Sequence, residues 1–344
     1  MEAKCFEIDK GMSQCLNIMK LLFIVMVVFI HSEASPEMVL HIPMYVQICK
    51  NIVSSGICGI AVPGFFFISG FLLFSKEFTW MGNLKKKAKS IILPYIAINL
   101  FWVIFFKGVH FFEFTKHYFA EEAYQIRGIE GFLRAFLDPM PLYYPFWFLR
   151  DLIILNIFAK IVQMIIDKIP WLSLIAIIAL YFNIIQIPLL LSNSSFCIFF
   201  LSYYFVKYQT IIKKLDKIKG LYLGLIFVGL IVVKLWIWNH AIVNLIYTAI
   251  GLTFFYQLAG KIRKGPLCKP ILWCSQFTFF IYAFHEFYEA MLKKIVMTVL
   301  PQYGFVQLIE FFLVPILMIC ICIAAGAMIK RWIPILYQLI CGYR

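Results

Sequence analysis

Apolar runs of roughly 20 residues, parted by short lysine-rich gaps, follow one another along the chain. A helix of that length crosses the hydrocarbon core of a bilayer. Reading runs against gaps predicts about ten spans, near 15–35, 52–74, 89–107, 145–166, 171–188, 194–210, 220–239, 241–260, 271–291 and 305–329. The breaks are sharp. "SKEFTWMGNLKKKAKS" parts the second and third spans, "KKLDKIKG" follows the sixth, and "KIRKGPLCKP" follows the eighth. No soluble domain, low-complexity linker or internal repeat interrupts this pattern, so residues 1–344 are expected to form one integral membrane domain of all-α class.

Composition supports this reading: 63% of residues are hydrophobic and 14% charged, against about a quarter charged in soluble domains. A net charge of +14 taken alone would suit nucleic acid, but the lysines sit in the gaps, where basic residues hold loops on the cytoplasmic side. With a cytoplasmic N-terminus, 22 of the 31 Lys and Arg fall in inside segments and 9 elsewhere, which places both termini inside. The one long outside loop, 108–144, carries Glu113, Glu121, Glu122, Glu130 and Asp138 and is expected to cover an outer vestibule. The tail "RWIPILYQLICGYR" is expected at the inner interface. Ser32-Glu33-Ala34 resembles a signal-peptide cleavage site, yet the region before the first run is long and holds Glu2, Glu7 and Asp9, so that run is read as a retained helix. Most of the ten cysteines (Cys58, Cys197, Cys274, Cys320, Cys322) lie inside apolar runs and behave as small hydrophobes; no spacing suggests zinc.

Candidate chemistry is carried by ionisable groups at membrane depth, which are costly there and usually face a bundle interior. On the first span Lys20 and His31 are eleven residues apart, almost three turns, so they share a face with His31 about 16 Å further out. His31 could equally cap the helix at the outer interface while Lys20 snorkels inward. On the ninth span Ser275, Thr278, Tyr282, His285 and Glu289 recur at steps of three and four, giving one polar stripe on an aromatic helix. His285 falls at a depth similar to His31. Such stripes also serve as interhelical glue. The fourth span opens on Trp147 and Arg150 one turn apart, with Asp151 adjoining; Arg150 either pairs locally or points inward to hold an anion. In the second span Pro63 and Gly64 loosen the helix, and Ser69-Gly70 allows a close approach. Lys85, Lys86, Lys87 and Lys89 set topology and would also suit the phosphates of an acyl-CoA.

Taken in order, "NIMK…VVFIHS", "VPGFFFISGFL", "KSIILPY", "FWFLR" and "TFFIYAFHE" resemble acyltransferase family 3, the multi-spanning membrane O-acyltransferases of cell-surface polysaccharides. The resemblance covers nearly the whole chain. It implies a cytosolic acyl-CoA co-substrate, acetyl-CoA by default, with no bound cofactor and no metal. It also implies a sugar hydroxyl acceptor on a polysaccharide or lipid-linked sugar, and residence in the inner (plasma) membrane. The family's first-helix histidine matches His31, its Y-x-x-H matches Tyr282 and His285, its S-G matches Ser69 and Gly70, and its WFLR matches Trp147 to Arg150. Three positions depart from the family: Asn17 stands where an Asp is common, Gly59 where a basic residue precedes "AVP", and Lys86 and Lys89 where arginine is usual. Lysine holds phosphate without arginine's bidentate fork.

Acyl transfer requires a base for the hydroxyl and donors for the oxyanion. On the family's pattern His31 is expected to be that base or a transient acyl carrier. His285, with Tyr282 or Glu286, orients it or donates to the oxyanion, and Arg150 steadies the carbonyl or acceptor. Lys20, Ser69, Gly70, Lys86, Lys89, Trp147 and Glu286 are expected to bind donor or acceptor. A transporter or flippase of a polysaccharide precursor would also account for a polar-lined bundle. A non-catalytic protein on the same fold is a third reading.

Overall fold

A computed structural model describes residues 6–32, 42–111, 128–138, 141–185, 191–209, 218–301 and 303–343. Among them every regular element is helical and there is no strand, as expected where backbone polar groups must be satisfied within each segment. Among the described residues six helical stretches are long and apolar enough to cross a membrane: Lys10–His31, Met44–Phe74, Trp80–Phe111, Gly220–Ile237, Ala241–Lys264 and Gly304–Trp332. The other expected spans also fall on helices, but of different character. Pro170–Tyr181 and Asn193–Lys207 are short, at 12 and 15 residues. Trp147–Lys168 and Thr278–Val299 are long enough but carry several charged residues each.

The chain divides into two compact units. The first comprises Met1–Glu77, Ile169–Gln186 and Asn193–Gly326. At its centre is α1 (Lys10–His31), capped by the Asp9 side chain, which accepts from the Met12 N–H at 2.6 Å. Nine of its residues are buried, on nearly all sides, because it packs on several neighbours at once. Next come α2 (Met44–Asn51), a π-helical turn (Ile52–Ile57), a 3-10 turn (Cys58–Ile60) and α3 (Ala61–Phe74), in one continuous stretch. The irregularity lies before Pro63, not at it. Pro63 stands in the first turn of α3, where its missing N–H leaves no hydrogen bond unmade. Gly64 is where α1 comes close: a Cβ there would stand 2.3 Å from the Phe23 ring.

The second unit comprises Phe78–Lys168, Ile187–Ser192 and Ala327–Arg344. Here α4 (Trp80–Lys87), a π-turn (Ala88–Ile92) and α5 (Leu93–Phe111) run on together, the π-turn falling just before Pro94. The outer-loop segment 108–144 contributes α6 (Gly128–Leu137), which α5 holds through Tyr95 Oη donating to the Phe136 carbonyl at 2.5 Å; residues 112–127 and 139–140 of that loop lie outside the described residues. Then comes α7 (Trp147–Lys168), joined to α4 by the Trp80 indole N–H donating to the Ile157 carbonyl at 2.8 Å and by the buried amides of Asn83 and Asn156.

The remaining helices are α8 (Pro170–Tyr181), α9 (Asn193–Lys207), α10 (Gly220–Val232, ending in a π-turn at Val233–Ile237), α11 (Ala241–Lys264), α12 (Cys268–Ser275), α13 (Thr278–Val299), α14 (Gly304–Trp332) and α15 (Pro334–Cys341). The ninth expected span is thus two helices. Ser275 and Thr278 turn their hydroxyls back onto the Leu272 and Ser275 carbonyls at 2.8 Å each, competing with the helical ladder where it breaks. The tail is the helix α15, which packs on α5 in the second unit and ends at Gly342 in a left-handed conformation, φ 77°, where a Cβ would stand 2.6 Å from the Ser90 carbonyl.

Candidate active site

His31 is the last residue of α1, and α13 packs along that helix. Ser32 closes the helix and donates its hydroxyl to the Phe311 carbonyl of α14 at 3.2 Å. Here His31 and His285 meet, with ring centroids 5.1 Å apart and planes inclined at 68°. The expected similarity in depth is therefore an actual contact. His31 Nδ1 lies 3.6 Å from a Glu286 carboxylate oxygen, within ion-pair range but longer than a hydrogen bond, and both side chains keep some exposure.

His285 is fully buried. Its Nδ1 is 3.0 Å from the carbonyl oxygens of both Ile281 and Tyr282. Carbonyls only accept, so this nitrogen carries the hydrogen, and Nε2 is then an acceptor in the neutral ring. Nε2 is buried and makes no hydrogen bond among the described residues. Tyr282 is half-buried one turn earlier, its ring centroid 6.5 Å from that of His285. Beyond it, the buried face of α13 continues through Glu289 and Lys293. The stripe begins on α13 itself, because the helix break detaches Ser275, and it extends one turn past the expected end. Stepping by four from His285 reaches Glu289 and then Lys293, which lies beyond the expected end of the ninth span at 291.

Elsewhere in this unit Lys20 is half-buried on α1, and Ser69 is half-buried on α3. Gly70 is a packing position: a Cβ there would meet the Ser202 hydroxyl at 2.3 Å and the Phe199 carbonyl at 2.4 Å on α9. A mainly apolar cavity of about 90 Å³ opens beside Leu16, Met19, Ile68, Phe71 and Leu252. Lys234, from the π-turn after α10, was not a sequence candidate. Its Nζ lies 3.0 Å from where a Cβ on Gly59 would be, donates to the Ser55 carbonyl at 3.1 Å, and sits 4.3 Å from the Tyr247 ring centroid. A cation thus occupies the neighbourhood of Gly59, delivered by another helix, and no local sequence signal announces it.

Four candidates belong to the second unit. Arg150 is largely buried; its Nη1 donates to Asp151 at 3.1 Å and its Nε to the Leu137 carbonyl at 3.1 Å. Of the two readings open for Arg150, the local pairing with Asp151 is present, with α6 as a further partner. Trp147 is half-buried in the first turn of α7, and Lys86 and Lys89 are exposed on α4 and the π-turn after it. Among the described residues no three His, Cys, Asp or Glu side chains gather as a metal site.

Residues 13–327 match a family model described as an acyltransferase domain. The chain is also similar to the succinoglycan biosynthesis protein ExoH of Rhizobium meliloti (strain 1021), 24% identical over 191 residues, which are 52% of this chain and 50% of that protein. The match thus spans about half the length of the curated relative. No solved structure matches the chain at a significant level.

Proposed function

The chain belongs to the acyltransferase family whose model spans residues 13–327, and from that premise we propose that it is a membrane O-acyltransferase. In this reading it moves an acyl group, acetyl by default, from cytosolic acyl-CoA to a hydroxyl of a cell-surface carbohydrate. The observation that carries it is the pairing of His31 with both His285 and Glu286 where α1 ends. Two imidazoles and a carboxylate gathered in a membrane chain are costly to keep unless they work.

The chemistry then runs as follows. Glu286 holds His31 on its Nδ1 side, leaving Nε2 to take the proton of the acceptor hydroxyl as its oxygen attacks the thioester carbonyl. The tetrahedral intermediate collapses, the C–S bond breaks, and the imidazolium returns its proton to the leaving thiolate. His285 offers a lone pair at Nε2, so it suits holding the acceptor hydroxyl or relaying a proton more than donating to an oxyanion. Oxyanion donation is left to Tyr282. Lys20, Ser69, Trp147, Lys86 and Lys89 bind donor or acceptor in this scheme, while Gly70 packs α3 on α9. The exposed lysines suit the donor phosphates.

The location proposed is the inner membrane, with about ten spans and both termini cytoplasmic, on the strength of the Lys and Arg asymmetry. Membranes supplied with labelled acetyl-CoA test the reaction. Label in envelope polysaccharide with wild type and none with His31→Ala is the expected result. Full activity in His31→Ala would remove His31 from the chemistry. No transfer by well-expressed wild type from any of a panel of donors would favour a transporter of the polysaccharide precursor.

A further inference from the structure

We propose that Lys293 is a positioning residue for His31, holding the last turn of α1 from α13, with the buried Glu289 one turn before it on the same helix face. The carbonyls of a helix's final turn have no partner within the helix. His31 contributes one of them, and the Lys293 ammonium reaches it at 3.4 Å from α13. A cation there also meets the negative end of the α1 dipole, and charge-assisted hydrogen bonds are about twice as strong as neutral ones. A hold on the His31 carbonyl fixes the backbone from which the imidazole projects, and so where the ring can stand.

Glu289 accounts for the presence of a lysine at this depth. It is 1% exposed, and neither carboxylate oxygen has a hydrogen bond among the described residues. A carboxylate so placed requires a nearby cation. Lys293, one turn further along α13 and also buried, is the cation on the same helix face. His285, Glu289 and Lys293 follow one another at steps of four, so one face of α13 supplies both the ring beside His31 and the ammonium beneath its carbonyl.

This inference rests on the acyltransferase reading for its kinetic consequence but not for its structural one, and the test reads both in full-length protein in lipid nanodiscs. Lys293→Met alone strands the Glu289 carboxylate and can fail to fold, so the informative variant is the uncharged pair Glu289→Gln with Lys293→Met, beside Lys293→Arg. One readout is kcat and KM for labelled acetyl-CoA. The other is the rate at which diethyl pyrocarbonate modifies His31, followed by peptide mass spectrometry. Expected for the uncharged pair are a kcat about 10- to 100-fold lower with little change in KM and an altered His31 modification rate, both recovered toward wild type in Lys293→Arg. Wild-type kcat and reactivity in the uncharged pair would overturn the proposal, leaving Lys293 as charge balance for Glu289 alone. A lower kcat with His31 reactivity unchanged would overturn it too, because Lys293 would then act by another route. If wild type transfers no acyl group, altered His31 reactivity still supports the positioning role while the acyltransferase reading falls.

Discussion

At the scale of single residues, the site is a matter of which atoms of each side chain are already engaged. His285 has committed Nδ1 to two carbonyls, so its remaining nitrogen accepts. His31 has a long contact with Glu286 on its Nδ1 side. Glu286→Gln removes the charge that steadies an imidazolium while keeping the shape, and is expected to lower kcat about a hundredfold with the protein still folded. The check is acyl transfer in membranes matched for protein level; full activity in that variant would release Glu286 from the mechanism. Arg150 is engaged by Asp151 and by the Leu137 carbonyl. Arg150→Lys keeps the charge but loses the fork, and is expected to lower thermal stability in detergent by the breaking of a buried network.

At the scale of elements, most helices fall where the apolar runs put them, and the departures have local causes. Hydroxyl side chains that bond back to carbonyls split the ninth span, while Pro63 falls in a first turn and Pro94 just after a π-turn. The contact of α3 with α9 is set by a missing side chain. Gly70→Ala would drive a methyl group against the Phe199 carbonyl, a backbone atom that cannot swing aside. The expected cost is about 1–3 kcal/mol, seen as a lower unfolding temperature in detergent. Ser69→Ala, on a half-buried neighbour, is expected to leave that temperature unchanged and to raise KM for acetyl-CoA if Ser69 touches the donor. The "FISGF" run therefore combines a packing glycine with a candidate binding serine, two roles that periodicity could not separate.

At the scale of the whole molecule, the proposed orientation makes a direct prediction. A fluorescent protein fused after Arg344 should fold and emit, and alkaline phosphatase inserted in the loop 108–144 should be active, because the first works in the cytoplasm and the second outside it. The reverse pattern would overturn the inside placement of both termini. Helical class and family were legible in the sequence by itself, since hydropathy and short motifs are properties of the linear chain. Equally legible was the shared stripe of Tyr282, His285 and Glu289, because a helix converts spacing into a face. Tertiary structure alone decided the rest. That His31 touches His285, that Lys234 fills the space over Gly59, and that Lys293 reaches the His31 carbonyl each join residues more than 170 positions apart. No repeat length or local propensity encodes such meetings; they follow from how helices pack, and packing is fixed only when every neighbour is in place.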